Sequence, residues 1–336
     1  MSDLEINMSS SSPSNFLVFG AAGHIGGPAA QHLAARRPGA LILLVTSRAD
    51  QADALRTEHP TAEVRVANYL DAADMRTVFD GIEAAFVVTP DFLDEATAMG
   101  NIVDAVERSG SLVRLIRLIG DPPGMREEAE VESAMSGYDA GTAVQHLRAR
   151  TVLSASSAPV VYMNVAAWFM QDFATFLLPP IIRRRTLVMP YDRLMNYIDT
   201  RDIGRAAAEL MLDPTRTEVG GTYHLHNGID SYPFSHVAAV MTEVLGEKID
   251  YDDSEEAFLR DLGDVFRDYI RRDDAAEYFL AYCQFELGHV QRLGADLLNG
   301  EPDITPEKLG FAPTTFRDWI ARHRAIFSAQ QERQSV

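Results

Sequence analysis

The chain has 336 residues, of which 46% are hydrophobic and 24% charged, and its formal net charge is −19. This composition is typical of a globular protein with one large or two moderate domains, and the acidic balance argues against a nucleic-acid partner held by phosphate contacts. A single cysteine, Cys283, excludes an internal disulfide framework and a cysteine-based zinc site, so we expect no metal and a reducing, cytoplasmic location.

Two features bear on targeting. No apolar run approaches the roughly 18 residues that a membrane helix needs, so we expect no membrane partner. Residues 1–14 are rich in serine and lack the basic start and apolar core of a signal peptide. We therefore predict a disordered tail over 1–14.

Short apolar runs alternate with helical patterns through the first half of the chain. The predicted strands are 16–19, 40–46, 63–67, 84–89, 112–119 and 159–163. The predicted helices between them are 26–37, 51–58, 72–79, 96–109 and 151–156, with a loop or marginal helix at 124–145. Strands that alternate with helices predict an α/β fold with a doubly wound parallel sheet.

The alternation ends after Asn164. Amphipathic helices are predicted at 203–212, 235–245, 255–293 and 314–327. We therefore predict a sheet-bearing domain over 15–164, to which segments near 197–228 return, and a smaller, mostly helical domain over 165–330. The acidic segment 255–293 is longer than such a domain needs, and two roles stay open for it: a lid over a pocket or a homo-oligomer interface.

A glycine-rich turn, FGAAGHIGG, joins the first strand to the first helix. Gly20 permits a tight turn, Gly23 lets backbone N–H groups approach a pyrophosphate, and Gly26 lets the helix lie close on the sheet. We predict that this turn, with His24 and Ile25 inside it, binds the phosphates of a dinucleotide at the positive end of the helix. A glycine turn without a ligand is the alternative.

The end of the second strand favours NADP(H) over NAD. A site that prefers NAD usually places Asp or Glu there, where the carboxylate binds the ribose 2′-hydroxyl. Here the strand is followed by Ser47 and Arg48, and a guanidinium suits a 2′-phosphate that a carboxylate would repel. A solvated loop arginine is the alternative.

Two further segments follow strand ends and fit the same cofactor. Asn68 and Tyr69 come after the third strand, where the adenine would lie. Thr89 and Pro90 end the fourth strand, near the path of the ribose and nicotinamide. A turn residue at Asn68 and a helix start at Pro90 are the alternatives, but the order of these segments after the glycines predicts dinucleotide binding by the first domain.

In these segments the chain resembles the NmrA-like family of atypical short-chain dehydrogenases. The resemblance rests on FGAAGHIGG, TSR, VANYLD and AFVVTP, and it continues through WFMQDF, YIDTRDIGRAAAELMLDP, GTYHLHNG, HVAAVMTEVLGEKIDY and ITPEKLGFAPTTFRDWIARH. It covers roughly residues 15–327. It implies a Rossmann domain, a small C-terminal substrate domain and a cleft between them. The family contains NADPH-dependent reductases of quinones, dyes and aromatic natural products, and also proteins that bind the dinucleotide to sense redox state without turnover.

The usual catalytic pair of short-chain dehydrogenases is missing. Those enzymes carry Tyr-x-x-x-Lys and a serine on the fifth strand, and the tyrosine protonates the product oxygen. The two lysines of this chain, Lys248 and Lys308, both lie late in the sequence. Ile119 stands about where the serine would fall. The proton donor must therefore be another group, if the reaction needs one.

His146 and Tyr138 are the candidates for a replacement acid. His146 falls about where the lysine of the family would stand, and a histidine can donate a proton near neutral pH. A surface histidine on a helix is the alternative. Tyr162 and Asn164, at the end of the sixth strand, are predicted to line the nicotinamide pocket, with a plain core tyrosine as the alternative for Tyr162.

The missing acid pair favours a small-molecule substrate that needs little proton assistance. We predict an NADPH-dependent reductase that transfers hydride to a small aromatic or conjugated electrophile, such as a quinone, an enone, or an iminium- or diazo-like carbon. The aromatic-rich segment 162–176 would supply an apolar pocket. A non-catalytic NADP(H)-sensing regulator, with the acidic region 255–286 as its partner surface, stays open as the alternative.

Overall fold

The computed structural model describes residues 12–120, 131, 133, 135, 137, 138, 141–165, 167–293 and 302–328. Most of the predicted tail and much of the loop predicted at 124–145 therefore lie outside the described residues. The chain is anchored from Ser14, whose backbone N–H donates a hydrogen bond to Glu83 Oε2 at 2.6 Å.

Seven parallel strands form the central sheet. The strands of the protein are β1 (Asn15–Phe19), β2 (Leu41–Thr46), β3 (Glu63–Val66), β4 (Ala84–Val87), β5 (Arg114–Ile119), β6 (Val160–Val165), β7 (Trp168–Phe169), β8 (Thr186–Val188), β9 (Leu194–Ile198), β10 (Thr222–Leu225), β11 (Ser231–Pro233) and β12 (Asp250–Asp252). The order across the central sheet is β3-β2-β1-β4-β5-β6-β10, and every pairing in it is parallel. This order, with its reversal beside β1, is that of a doubly wound Rossmann sheet. The predicted fold class is confirmed.

Helices cover both faces of the sheet. The helices of the protein are α1 (Gly26–Arg36), α2 (Ala49–Glu58), α3 (Ala72–Val78), α4 (Glu95–Ser109), α5 (Thr142–Ser154), α6 (Leu178–Arg184), α7 (Thr200–Leu212), α8 (Phe234–Leu245), α9 (Glu255–Ile270), α10 (Ala275–Leu293), α11 (Phe316–Arg322) and α12 (Arg324–Ser328). One buried apolar cluster joins the sheet to α1, α2 and α7, and a second joins the opposite face to α3, α4 and α5. Helices α4 and α7 bury the apolar stripes that their 3.6-residue period provides.

The second half of the chain builds a third apolar cluster beside the carboxyl ends of the strands. It contains residues of α6, α8, α9, α10 and α11. Five short strands, none of them predicted, contribute two small sheets with the orders β11-β9-β7 and β12-β8. The predicted helix over 255–293 is two helices, because Arg271 has a left-handed backbone (φ 62°) that ends α9.

Helices α1 and α7 approach each other closely where α7 carries Gly204. A Cβ atom at this position would lie 2.8 Å from the backbone nitrogen of Ala29 in α1. Only glycine allows the two helix backbones to lie at this separation, so α7 helps to fix α1 and the glycine turn before it.

The boundary between the two predicted domains stays a prediction. The segment near 197–228 does return to the central sheet, because β10 pairs with β6 and α7 packs beside α1. No helix in the described ranges is long and apolar enough to cross a membrane.

Candidate functional site

The glycine turn is a compact backbone cradle at the carboxyl end of β1. Gly20 adopts φ 62°, and its carbonyl accepts a hydrogen bond from the Gly23 N–H at 2.9 Å. A Cβ at Gly26 would lie 2.7 Å from the Phe19 carbonyl oxygen, so no larger residue fits there. No side chain in the described part of the chain caps α1 at Ile25, and His24 is exposed. The positive end of α1 is therefore open to an anion such as a phosphate.

Ser47 and Arg48 lie exposed at the end of β2. The Arg48 Nε donates to Asp50 Oδ1 at 3.0 Å, and this arginine holds the pKa of the Asp50 carboxyl below its usual value. Both side chains are solvent-exposed, so the pair is weak and its guanidinium can turn to another anion.

Asn68 and Tyr69 contribute differently to the cradle. The Tyr69 side chain is buried, its ring stacks on Phe19 with centroids 4.8 Å apart, and its hydroxyl donates to the Val88 carbonyl at 2.6 Å. Asn68 is exposed, and its Oδ1 accepts from the Leu70 N–H at 3.0 Å. Tyr69 thus packs against the carboxyl ends of β1 and β4 in the interior, whereas Asn68 closes a turn at the surface.

A cavity of about 440 Å³ lies beside the glycine turn, past the carboxyl ends of β4, β5 and β6. Ile25 of the turn, together with Thr89 and Pro90 after β4, lines it. Its other walls come from β7 and the short helical turn after it, from β9, and from α5, α9 and α10. Aromatic side chains dominate these walls: Phe92, Trp168, Phe169, Phe176, Tyr269 and Tyr278 are six of them.

A buried ion pair lies beside the cavity, and one of its members, Arg117, belongs to the lining. Arg117 of β5 and Glu95 of α4 are both at most 2% exposed, and Nη2 of Arg117 lies 2.6 Å from Oε1 of Glu95. The same Nη2 donates to the Thr89 hydroxyl at 2.9 Å, and the Gln145 side-chain oxygen accepts from the Glu95 N–H at 3.1 Å. These bonds join β4, β5, α4 and α5 around one pair of charges.

His146 lies on α5 and lines the cavity. Its Nδ1 accepts a hydrogen bond from the Gly120 N–H at 3.1 Å, so the neutral ring carries its proton on Nε2. Burial, followed by the charges of Arg117 and Arg150, lowers the pKa of His146 to about 3. The ring is therefore neutral at physiological pH, and it is a hydrogen-bond donor through Nε2 rather than the imidazolium acid that the residue type alone suggested.

Three other candidate residues are not among the residues that line the cavity: Tyr162, Asn164 and Tyr138. The Tyr162 hydroxyl lies 2.8 Å from Ser154 Oγ, on the face of the sheet covered by α5. Asn164 Nδ2 lies 3.0 Å from His224 Nδ1 on the neighbouring strand β10. Tyr138 packs its ring on Tyr278, which lines the cavity, with centroids 5.7 Å apart.

Two carboxyl groups in the cavity have no counterpart in the sequence reasoning. Asp91 follows Pro90, and Asp172 lies on the helical turn 170–174 after β7. Burial raises the pKa of Asp172 and the Asp91 charge raises it further, whereas Asp91 itself is an exposed residue of the cavity lining. Arg193, also unforeseen, pairs with Glu286 of the cavity at 2.8 Å. Within the described ranges, no group of three or more His, Cys, Asp or Glu side chains is arranged to hold a metal ion.

The chain matches a known protein family along most of its length. A sequence model of the NmrA-like family matches residues 12–316. A search of curated protein sequences gave no significant match.

Several solved structures share the fold at low sequence identity. Triphenylmethane reductase from Citrobacter sp., complexed with NADP(H), is 18% identical, with a TM-score of 0.69 over 92% of this chain and 99% of that one. The NADPH-dependent quinone oxidoreductase of Escherichia coli, complexed with NADPH, is 17% identical, with a TM-score of 0.68 over 92% and 99%. NmrA, a negative transcriptional regulator in complex with NAD, is 14% identical, with a TM-score of 0.59 over 72% and 75%.

The buried pair predicts a strongly non-additive stability effect. Glu95→Gln should lower the free energy of unfolding by ~3–5 kcal/mol, because it leaves the Arg117 charge buried without its counter-charge. The double variant Glu95→Leu/Arg117→Met should lose much less free energy of unfolding than the summed losses of Glu95→Leu and Arg117→Met made singly. Urea unfolding at pH 7 measures these energies.

The matched control is Glu243→Gln, which removes one partner of the exposed Arg317–Glu243 pair and should leave stability almost unchanged. Additive losses at residues 95 and 117 would show that the two charges do not depend on each other.

Proposed function

The chain belongs to the NmrA-like family, and from this premise we propose that it is an NADPH-dependent reductase that transfers hydride to a small aromatic or conjugated electrophile. The observation that carries the proposal is a shared wall: Ile25 of the glycine turn and Thr89 and Pro90 after β4 line the aromatic cavity. A cofactor held on the turn and a flat substrate held among the rings would therefore meet.

The residues around the turn fit a dinucleotide phosphate group. Gly20, Gly23 and Gly26 give a cradle that a Cβ atom would fill, next to an uncapped helix N-terminus. Arg48 would leave Asp50 to bind a 2′-phosphate, for which a guanidinium is the better donor. When bound, NADPH supplies the hydride and the two electrons of the reduction.

His146 would orient the substrate rather than protonate it. Its Nε2–H can donate a hydrogen bond to an acceptor oxygen or nitrogen in the cavity, since Nδ1 is held by Gly120. With a pKa of about 3 the ring cannot supply a proton from an imidazolium at neutral pH. This limit supports substrates whose reduction needs little proton assistance at the hydride step, such as quinones or iminium-like carbons.

The structural relatives support a reductase without excluding a sensor. The two reductases named above share their fold with this chain over nearly their whole length, whereas the NmrA regulator does so over three quarters of its own. The missing Tyr-x-x-x-Lys pair is the one feature that favours the alternative, a protein that binds the dinucleotide without turnover.

The deciding experiment follows NADPH oxidation at 340 nm with a panel of quinones, enones and iminium salts, alongside NADPH binding by calorimetry. We expect NADPH to bind and at least one class of acceptor to accelerate its oxidation. Tight NADPH binding with no acceleration by any class would instead establish the sensing protein.

Arg48 predicts the cofactor preference. Arg48→Ala should weaken NADPH binding roughly 10- to 100-fold, because it removes a charge-assisted bond to the 2′-phosphate, and should change NADH binding little. Arg56→Ala, at an exposed arginine of α2, is the control and should affect neither. Equal losses for the two cofactors would remove the 2′-phosphate from the assignment of Arg48.

His146 predicts a turnover effect without a binding effect. His146→Phe should lower kcat on the order of 10²-fold while the Kd for NADPH stays nearly constant, since it removes the Nε2–H that would bind the substrate. His146→Gln, which keeps an amide donor, should retain more activity. Because the pKa of His146 is depressed, protonation of this ring should produce no fall in kcat/KM between pH 5 and 8. Unchanged turnover in His146→Phe would exclude the residue from the mechanism.

A further inference from the structure

We infer that the substrate of this cavity is a conjugated cation, and that Asp91 and Asp172 bind its positive charge beside the aromatic walls. This inference deepens the proposed function and rests on it for the reaction, although the binding site can be tested without turnover.

Asp172 is the carboxylate that lacks a counter-charge. It is half-buried and lines the cavity, and among the described residues no hydrogen bond or ion pair reaches its side-chain oxygens. Glu286, which also lines the cavity, differs because Arg193 Nη2 lies 2.8 Å from its Oε2. A carboxylate placed against rings without a partner is unfavourable unless a ligand supplies the missing charge.

Asp91 adds a second negative charge to the same space. Its Oδ1 accepts a hydrogen bond from the Thr142 hydroxyl at 3.0 Å, which leaves Oδ2 without a described donor. Burial raises the pKa of Asp172 and the charge of Asp91 raises it further, so the surrounding protein favours the neutral acid at Asp172. Both acids line the same cavity, and a cation bound there would favour the ionised form of Asp172.

The positive side chains near the cavity are already engaged. Arg117 is paired with Glu95, and Arg193 with Glu286. Arg272 stacks 4.4 Å from the centre of the Phe92 ring, and its Nη2 lies 2.6 Å from Oδ2 of Asp274. Among these described cations, none is therefore left to pair with Asp91 or Asp172.

The rings around these carboxylates suit a flat cation. Tyr269 and Phe176 lie with centroids 5.7 Å apart, and Tyr278 and Phe92 with centroids 5.0 Å apart. A cation over an aromatic face gains about 0.5–2 kcal/mol, and a conjugated one also buries apolar area against the walls. A neutral substrate would gain the free energy of apolar burial but not that of the cation–aromatic contact.

A cationic acceptor also accounts for the missing acid. When hydride adds to an iminium carbon, a C–H bond forms there and the C=N π pair moves to nitrogen as a lone pair. The charge of the substrate is cancelled by the hydride, so no proton is taken up. The reaction then needs no proton donor, so neither the neutral His146 nor the missing tyrosine limits it. The neutral product loses the attraction of Asp91 and Asp172.

The test compares two probes of the same shape, the N-methylquinolinium cation and neutral 1-methylnaphthalene. Their binding is measured by calorimetry at pH 7.5, with the protein alone and with 1,4,5,6-tetrahydro-NADPH, whose ring is neutral and donates no hydride. We expect the cation to bind about tenfold more tightly or better. Asp172→Asn should remove most of this preference and Asp91→Asn part of it, while binding of the neutral probe changes less than about twofold.

Asp53→Asn is the control for net charge, since Asp53 is 92% exposed on α2, and it should leave both affinities unchanged. Thermal unfolding of each variant establishes that it is folded. Equal binding of the two probes by the wild-type protein, or equal losses for both probes in Asp172→Asn, would overturn the inference. A failure of the proposed function looks different, because it leaves the cation preference intact while no acceptor accelerates NADPH oxidation.

Discussion

The ion pair between Arg117 and Glu95 is the interaction on which the site depends. It joins the middle of the sheet to the start of α4, and through Thr89 and Gln145 it also holds β4 and α5. Separating two buried charges would leave each without its counter-charge, which costs about 3–5 kcal/mol. The cavity wall beside the pair is therefore held in one geometry. The same arginine acts on His146, because its positive charge adds to burial in keeping that ring neutral.

Most of the Rossmann half could be predicted because its signals are local. A strand buried on both faces is one continuous apolar run, and the helices between the strands carry their own 3.6-residue period. The strands β7, β8, β11 and β12 give no such signal, since two or three residues are too few for a period. β9 is as long as β1, but it lies where the strand–helix alternation has ended and it pairs with β7 and β11 instead of joining the central sheet. The break after α9 was missed because Arg271, not a glycine, adopts the left-handed backbone there.

The candidate site shows the same contrast between local sequence signals and contacts that depend on distant segments. The glycine turn is contiguous in sequence and could be identified from its residues, whereas Asp91, Asp172 and Tyr278 come from three separate segments that only the tertiary fold brings to one cavity. The prediction that Tyr162 and Asn164 line the nicotinamide pocket rests on their strand position alone, and in the structure their polar atoms contact Ser154 and His224. A further signal lies in β5, where Arg117 stands between apolar residues of a buried strand, since a charge in such a place requires a buried partner.

The close contact between α7 and α1 has a consequence for how the chain is made. The apolar face of α1, with Ala29, Ala30 and Leu33, is completed by residues of α7 such as Ile203. At translation rates of ~5–20 residues per second, α7 follows α1 from the ribosome by on the order of 10–40 s. During that interval the face of β4 and β5 that α7 covers in the folded protein lacks this cover. The Rossmann sheet therefore reaches its native packing only after a helix encoded far downstream has been made.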